Sequence, residues 1–378
     1  MSFLSVMGMP VVSLLFYAIP FLVAVIVIVF IHELGHFLVA RWCGMRVETF
    51  SIGFGREITG WHDRYGTRWK LGWIPLGGYV KFYGDANVAS MPKPEEAYAP
   101  DNFHGKPVWQ RAAVVVAGPV ANFILAIAIF ACAYGFIGMP VMEPRIDKVV
   151  PGSAAERAGI LPGDLVIAVD GHAIDSFPGL QEVIVTRAEE RLRILIDRSG
   201  TRLTLEAVPA VHEQPDGFGG TLRLGRLGVE HNPQGDIVYE RLGPVAAVEK
   251  GVERTWFIVS TTFQYLGKMI TGHQSTDQLG GPIAMAKVAG DAASVGIFPF
   301  LSVIAFLSVS IGLINLFPIP MLDGGHLVYY GIEALRGKPL GRNAQEWGFR
   351  VGFSLIILLM AVGTGNDIVR LIAMAIGG

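Results

Sequence analysis

Five consecutive residues carry the clearest chemical signal in this sequence: His32, Glu33, Leu34, Gly35 and His36 form the pattern His-Glu-x-x-His. On an α-helix, residues four apart share one face and lie about 6 Å apart along the axis, so both imidazoles can reach one Zn²⁺ ion. Glu33 lies on the same side, where it can take a proton from water at the metal. The pattern therefore predicts a zinc-dependent hydrolytic site with Glu33 as its general base.

A catalytic zinc site needs three protein ligands and an open position, so the two histidines require a partner. The best candidate is Asp323, which follows an apolar segment directly and precedes two glycines. Pro318 and Pro320 break a helix there, and irregular backbone at membrane depth is tolerated only where it is buried or lines a cavity. His326 is a rival ligand, but its position farther along the loop favours an exposed or supporting role.

The composition indicates where such a site would lie. Of 378 residues, 52% are hydrophobic and 16% are charged, whereas an average soluble domain has roughly 25% charged residues. Residues 1–31, 112–142 and 292–322 contain no Asp, Glu, Lys or Arg, and a stretch of ~18 apolar residues is long enough to cross a bilayer. Ionisable residues at the end of such a stretch are costly and therefore functional by default. We predict an integral membrane protein.

Charge and cysteine usage exclude other classes of protein. The net charge of −2 offers no basic surface for nucleic acid. Cys43 and Cys132 lie at the end of one apolar segment and inside another, so they form neither a disulfide framework nor a Cys-type zinc site.

We predict a polytopic α-helical membrane protein with about four transmembrane helices, a membrane-associated β-hairpin or sheet, and an inserted α+β domain. The predicted parts are an N-terminal membrane core (1–142, with a helix over 11–42, a β loop over 47–82 and a helix over 111–139), a soluble domain (143–212), a linker with an interfacial amphipathic helix (213–291), and a C-terminal membrane core (292–378, with helices over 298–317 and 347–366). For the β loop, an ordinary cytoplasmic hairpin is equally compatible with the sequence.

Lys and Arg residues in the short loops predict the orientation of the chain. They are concentrated between the first two spans and between the last two, and such loops face the cytoplasm. Both termini and the inserted domain are then extracytoplasmic, and the active site lies towards the cytoplasmic side.

The inserted segment has its own sequence signature. It contains the run from Pro151 to Gly171, "PGSAAERAGILPGDLVIAVDG", followed by a helical stretch and a predicted hairpin. This segment resembles a bacterial PDZ domain, a module that binds extended peptides by adding them as a strand at a sheet edge. The resemblance implies a peptide or a protein C-terminus as its ligand. A generic α+β insert without a ligand is the alternative.

The motifs together resemble the site-2 protease family, the M50-type zinc intramembrane metalloproteases, and within it the bacterial regulator of sigma-E protease branch. The resemblance rests on the His-Glu-x-x-His pattern, on the inserted domain, and on glycine- and proline-rich runs at 53–55, 75–79, 117–122, 279–283 and 315–325. It covers essentially the whole chain. The best-known members carry two PDZ domains in tandem, whereas this chain has room for one.

The resemblance implies roles for individual residues. His32, His36 and Asp323 would bind zinc, and Glu33 would be the general base. Asn315 and Pro318 would help to hold the substrate near the metal. Gly53, Phe54 and Gly55 belong to the loop that would receive the substrate as an added strand.

The implied activity is that of a zinc-dependent intramembrane endopeptidase in regulated intramembrane proteolysis, and the implied location is the cytoplasmic (inner) membrane of a bacterium. Its partners would be the lipid bilayer and type II single-span membrane proteins that have already been trimmed outside, such as anti-sigma factors, or remnant signal peptides. Two alternatives belong to other classes: a membrane metal transporter that uses the same ligands, and a catalytically inactive PDZ scaffold. Glu33 discriminates between hydrolysis and transport, because transport requires no general base.

Overall fold

The computed structural model describes residues 3–85, 101–141, 143–215, 221–231, 238–271 and 280–377. The chain divides into two compact units. The first is drawn from Met1–Ala131, Val248–Thr262 and Gly280–Gly365, and the second from Cys132–Ala247, Phe263–Leu279 and Asn366–Gly378.

The described residues form nine α-helices and twelve strands. The helices are α1 (Phe3–Trp42), α2 (Val108–Cys132), α3 (Ala154–Arg157), α4 (Phe177–Val185), α5 (Pro244–Ile270), α6 (Pro282–Val295), α7 (Ile297–Asn315), α8 (Asp323–Arg336) and α9 (Arg342–Gly377). The strands are β1 (Val47–His62), β2 (Arg68–Phe82), β3 (Met139–Val141), β4 (Lys148–Val149), β5 (Leu165–Val169), β6 (His172–Ala173), β7 (Leu192–Arg198), β8 (Thr201–Ala207), β9 (Ala210–Pro215), β10 (Thr221–Arg226), β11 (Val229–Glu230) and β12 (Val238–Glu240). A π-helical turn at Ala133–Ile137 continues α2.

Four helices in the described part of the chain are long and apolar enough to cross a membrane. The candidate spans are Leu15–Trp42, Val108–Ile137, Ile297–Asn315 and Asn343–Val369. They correspond to the four predicted spans and support a polytopic membrane protein. The last span is longer than the predicted 347–366. Charged side chains interrupt an apolar run in the sequence but do not interrupt helical hydrogen bonds, so a helix such as α5 extends beyond its apolar residues.

The long strands β1 and β2 fold over into four paired segments. The central segment, residues 49–52, pairs on one side with residues 68–71 and on the other with residues 78–81, while residues 57–62 pair with residues 68–72. The order across the sheet is therefore 57–62, 68–72, 49–52 and 78–81. β1 bends at Gly53 and Gly55, whose φ values are 83° and 84°, a left-handed conformation that glycine adopts at little cost.

The sheet packs on α1 and α2 through an aromatic core. Phe50, which is fully buried, meets the ring of Phe37 in α1 edge-on with the centroids 5.6 Å apart. Val114 of α2 belongs to the same cluster. This packing brings the outer segment 78–81 alongside the turn of α1 that carries Glu33, since a Cβ added at Gly78 would lie 3.2 Å from the Cγ of Glu33.

Small residues allow α1, α2 and α7 to approach closely. A Cβ at Gly35 in α1 would lie 2.3 Å from the carbonyl oxygen of Ala117 in α2. A Cβ at Gly312 in α7 would lie 3.1 Å from the carbonyl oxygen of Pro119, also in α2. Close backbone approach of this kind favours helix association in lipid, so α2 is held tightly against both neighbours.

The second unit contains an α+β domain. Its four-stranded antiparallel sheet has the order β6-β5-β7-β8, and α3 and α4 share its buried core. Both helices begin at serine caps: Ser153 accepts from the amide of Glu156, and Ser176 accepts from the amide of Gly179. The helix α4 and the hairpin of β7 and β8 follow the run from Pro151 to Gly171, as the sequence predicts.

This core extends beyond residue 212, where the sequence analysis places the end of the domain. Leu227 is 2% exposed and belongs to the core, and its carbonyl accepts from the amide of Ala155 at 2.8 Å. β11 pairs with β4. The closing strand thus comes from a segment that the sequence analysis assigns to a linker, because a two-residue strand has no alternating pattern to recognise.

An ion pair with a buried carboxylate joins the start of β5 to the end of β7. Asp164 accepts from the Nε and Nη2 of Arg198 at 2.7 and 2.8 Å and from the amide of Leu161 at 2.8 Å. Burial alone would raise the pKa of Asp164, but these donors hold the pKa of the carboxyl below its usual range. The carboxylate therefore stabilises the folded domain above the pKa of the unfolded state, about 3.9. This stabilisation is lost as the pH falls through the lower folded value.

We expect Asp164→Asn to loosen the second unit at neutral pH, with amide exchange in β5 and β7 on the order of tenfold faster, the scale of one charge-assisted hydrogen bond. Hydrogen-exchange mass spectrometry of the full chain at pH 6 and pH 3 measures this. The difference between the two proteins should be smaller at the lower pH, because part of the stabilisation by the charge is lost below the unfolded-state pKa of about 3.9. A difference that stays constant between the two pH values would contradict the role of the charge.

Candidate metal centre

Three side chains from distant parts of the chain converge in the first unit. His32 and His36 extend from one face of α1, and their Nε2 atoms lie 3.2 Å apart. Asp323, the first residue of α8, places Oδ2 3.2 Å from the Nε2 of His32 and Oδ1 3.6 Å from the Nε2 of His36. Among the described residues, this is the group of His, Cys, Asp and Glu side chains arranged to hold a metal ion.

The donor set fits a zinc ion. Nδ1 of His36 lies 2.8 Å from the carbonyl oxygen of Val114. A carbonyl only accepts, so Nδ1 carries the proton and Nε2 of the neutral ring offers its lone pair. Oδ2 of Asp323 is buried, and no described residue gives it a hydrogen bond. Ligand atoms at ~2.0–2.1 Å from a tetrahedral zinc lie about 3.3 Å from one another, close to the separations observed here.

Glycines allow Asp323 to reach the histidines. α7 ends at Asn315, and α8 begins at Asp323 after a short irregular segment. A Cβ at Gly324 would lie 2.2 Å from the carbonyl oxygen of Phe317, and a Cβ at Gly325 would lie 2.4 Å from that of Ile319. The start of α8 therefore folds back directly onto the end of α7, which only glycine permits.

The helix α9 closes this segment from another side. A Cβ at Gly352 would lie 1.9 Å from the carbonyl oxygen of Pro320, and a Cβ at Gly348 would lie 2.0 Å from the hydroxyl of Tyr329. These glycines are four residues apart, the small-xxx-small spacing of closely packed membrane helices. Sequence reasoning missed this contact, although the spacing itself was a visible signal.

Glu33 lines a cavity of about 350 Å³ together with the three candidate ligands. Its carboxylate accepts a hydrogen bond from the backbone amide of Val80, in the outer segment 78–81 of the sheet. The carboxylate is thus held at the edge of the cavity beside the metal ligands. An acceptor in this position can take a proton from a water molecule within the cavity.

Only some of the residues expected to bind substrate line this cavity. Asn315 and Phe54 line the cavity, whereas Pro318, Gly53 and Gly55 do not. Phe54 points inward because the flanking glycines bend the strand, and its ring stacks on Tyr79 with the centroids 6.1 Å apart. His326, the rival metal ligand, also lines the cavity but lies outside the triad. Lining residues that the sequence analysis missed include Tyr79, Val80, Met321, Tyr330 and Phe349.

A buried ion pair ties α8 to the start of α2. Arg111 donates to both carboxylate oxygens of Glu333, at 2.6 and 3.1 Å, a bidentate geometry that fixes orientation. Its guanidinium also lies over the ring of Tyr330, 5.0 Å from the centroid. Burial raises the pKa of Tyr330, so its hydroxyl stays neutral. The pair helps to anchor the helix that carries Asp323.

Comparison with known proteins agrees with this geometry. The family described as "Peptidase family M50", the site-2 protease family, matches residues 20–359. A protein of Rhizobium meliloti named as a zinc metalloprotease is 46% identical over 360 residues, covering 93% of this chain and 96% of the relative. A similarly named protein of Agrobacterium fabrum is 45% identical, with 94% and 96% covered. Metalloprotease MmpA of Caulobacter vibrioides is 38% identical, with 91% and 93% covered.

The match extends across both apolar regions that carry the triad. Together with the four candidate spans, it supports a membrane zinc metalloprotease over a metal transporter or an inactive scaffold. The chain therefore belongs to peptidase family M50 and is a membrane zinc metalloprotease.

Proposed function

We propose that this metalloprotease hydrolyses peptide bonds within the transmembrane segments of single-span membrane proteins. One observation carries the proposal: His32, Glu33 and His36 lie inside a candidate membrane span, and Asp323 lies between two others. In this proposal His32, His36 and Asp323 hold the zinc ion, and Glu33 is the general base. A site built on such helices suits a substrate that is itself in the membrane.

The proposed role of each residue follows from its chemistry. When bound, zinc supplies Lewis-acid polarisation and lowers the pKa of water at the site. Glu33 takes a proton from the attacking water and later returns it to the leaving amine. The amide of Val80 holds the Glu33 carboxylate in position. Nδ1 of His36 donates to the carbonyl oxygen of Val114, which directs Nε2 towards the metal.

The sheet provides a place for the substrate. A transmembrane helix hides its own amides, so the scissile segment must unwind before water can attack. The segment 78–81 is an outer segment of the sheet and lies beside Glu33. We propose that the unwound substrate adds as a strand along this segment, the mode of binding known for exposed sheet edges. Phe54 and Tyr79 would then contact its side chains.

The test uses two designed single-span peptides in liposomes that contain the purified enzyme. One carries a Gly-Asn pair at the centre of its apolar segment, and its matched partner is all leucine there. We expect zinc-dependent cleavage near the pair, located by mass spectrometry, and slow or no cleavage of the leucine peptide. Cleavage confined to the water-exposed flanks of both peptides would contradict intramembrane hydrolysis.

We also propose a physiological setting. The chain would lie in a bacterial cytoplasmic membrane with its termini and the second unit outside, and would act in regulated intramembrane proteolysis. Suitable substrates are type II single-span proteins that have already been trimmed outside, of the anti-sigma factor kind, and signal peptide remnants. Reporter fusions at residue 160 and residue 338 test the orientation, because a periplasmic reporter should be active only at the first position.

The second unit has its own candidate site. A groove of about 720 Å³ lies between α4 and the strands β10 and β11, with an apolar floor that includes Phe177, Leu180 and Ile184. β11 pairs with β4 on one side, and no other described strand pairs with it. We propose that this unit is a PDZ domain and that the groove takes an extended peptide or a C-terminus as a strand along β11.

A pair of surface substitutions tests the groove. Val185 lines it and is 36% exposed, whereas Val208 is 45% exposed and lies outside it. We expect Val185→Lys to weaken binding of an apolar-ended peptide about tenfold or more, since it places a charge in an apolar pocket. Fluorescence anisotropy with peptides selected from a random C-terminal library measures this. Equal effects of Val185→Lys and Val208→Lys would contradict the assignment.

A further inference from the structure

The side chain of Asn122 reaches the candidate metal centre from α2. It is fully buried, and its amide nitrogen lies 3.2 Å from Nδ1 of His32. Its amide oxygen is also buried, and no described residue donates a hydrogen bond to it. A buried amide oxygen without a donor is unusual. Here the nitrogen on the same amide carbon contacts a ring nitrogen that could itself be a donor.

The two possible orientations of the Asn122 amide imply different tautomers of His32. If the amide nitrogen donates to Nδ1, the proton of the neutral ring lies on Nε2, the atom that faces His36 and Asp323. If the amide is turned by 180°, its oxygen accepts from Nδ1–H, and Nε2 presents a lone pair to the metal. The second orientation satisfies the amide oxygen and leaves a ligand atom free at the same time.

His36 shows the same arrangement one helical turn away. Its Nδ1 proton is donated to the carbonyl oxygen of Val114, which is also in α2. A ligating histidine almost always donates its other ring N–H to such an acceptor, which fixes the tautomer and the ring orientation. The same helix thus offers one acceptor to each of the two histidines.

Asn122 is itself held in place. The hydroxyl of Ser308 in α7 donates to the backbone carbonyl of Asn122 at 2.9 Å. A Cβ at Gly312 would lie 3.2 Å from the Cβ of Asn122, so α7 packs directly against this residue. Gly118, four residues earlier on the same face of α2, leaves space for both imidazoles. The amide therefore has little freedom to leave His32.

We propose that Asn122 is a positioning residue, whose side-chain oxygen accepts the Nδ1 proton of His32 and directs Nε2 to the zinc ion. The proposal rests on the assignment of His32 as a ligand in the proposed function. It does not depend on where the substrate is cut.

The test measures zinc affinity of the full chain in detergent by competition with a chelator, together with the absorption spectrum of the Co²⁺-substituted protein. Asn122→Leu keeps the size but removes the acceptor, and we expect zinc affinity to fall about 10–100-fold with a changed Co²⁺ spectrum. Asn122→Asp keeps an acceptor and should stay within a few-fold of wild type, by the same reasoning. Asn122→Ala removes the acceptor without placing new apolar atoms beside His32, in case the leucine variant does not fold.

Ser310→Ala is the matched control, because it removes a hydroxyl from the same helix, α7, whose hydrogen bond to the carbonyl oxygen of Phe306 stays within that helix. It should retain wild-type zinc affinity and spectrum. Wild-type affinity in both Asn122→Leu and Asn122→Ala would overturn the proposal, as would an equal loss in Asn122→Asp. If His32→Ala also binds zinc like wild type, the ligand assignment fails too. Loss of zinc in His32→Ala alone shows that only the role of Asn122 is wrong.

Discussion

Replacement of Glu33 by Gln should abolish peptide hydrolysis and leave zinc binding intact. The amide keeps the size of the side chain and can still contact the Val80 backbone, but it cannot take a proton from water. General acid–base catalysis contributes about 10²–10⁴-fold to a rate, and the same residue also serves the leaving amine. We expect a loss of at least about 10³-fold in the initial rate of cleavage of the Gly-Asn peptide in liposomes.

Zinc content per chain, measured on the same preparations, separates catalysis from metal binding. The triad of His32, His36 and Asp323 is untouched, so the variant should bind zinc as the wild type does. Glu240→Gln, on an exposed strand of the second unit, is the matched control and should cleave at the wild-type rate. Retention of more than about a tenth of the activity in Glu33→Gln would rule out Glu33 as the general base.

The second large effect, on zinc binding and on cleavage, is expected from substitution of Gly118, a residue without a side chain. A Cβ at Gly118 in α2 would lie 2.3 Å from Nε2 and 2.5 Å from Cε1 of His36, and 2.9 Å from Cε1 of His32. Both rings are held at their Nδ1 atoms, so they cannot both move away. Gly118→Ala should therefore weaken zinc binding by about 10²-fold, and cleavage should fall with it, because displacements near 1 Å cost this much.

Gly331→Ala is a suitable control for the glycine substitution. Gly331 lies in α8, and nothing within 4 Å would meet a Cβ there; alanine is also the better helix former. We expect wild-type zinc affinity and activity from this control, measured by the same chelator competition and liposome cleavage. Stoichiometric, wild-type zinc binding by Gly118→Ala would contradict the observed placement of α2 against the two histidines.

The convergence of the three candidate ligands could be expected from the sequence because their signals are local. His32 and His36 are one helical turn apart, so their common face follows from the period of the helix. Asp323 is the first charged residue after a long uncharged run, and burial of a charge there requires a partner. The structure places it within 3.2 Å of His32.

Other parts of the site have no local signal. Val80 reaches Glu33 because β1 and β2 fold into four segments, and strand alternation alone does not give that register. Asn122 is 90 positions from His32, and its amide reaches the imidazole only because α1 and α2 pack closely at Gly35. The second unit gains its closing strand, β11, from beyond the expected boundary for a similar reason, since two residues are too few to show a period.

The sequence by itself determined the number of candidate membrane spans, the helix that carries two of the candidate metal ligands, and the third candidate ligand. These properties depend on apolar length, on helical period and on the cost of charge in lipid, all of which are set by neighbouring residues. The tertiary structure alone decided which residues surround those ligands: Gly118, Asn122 and Val80. Their roles depend on how closely two helices cross and how a sheet registers, and these distances are set by packing between residues far apart in the chain.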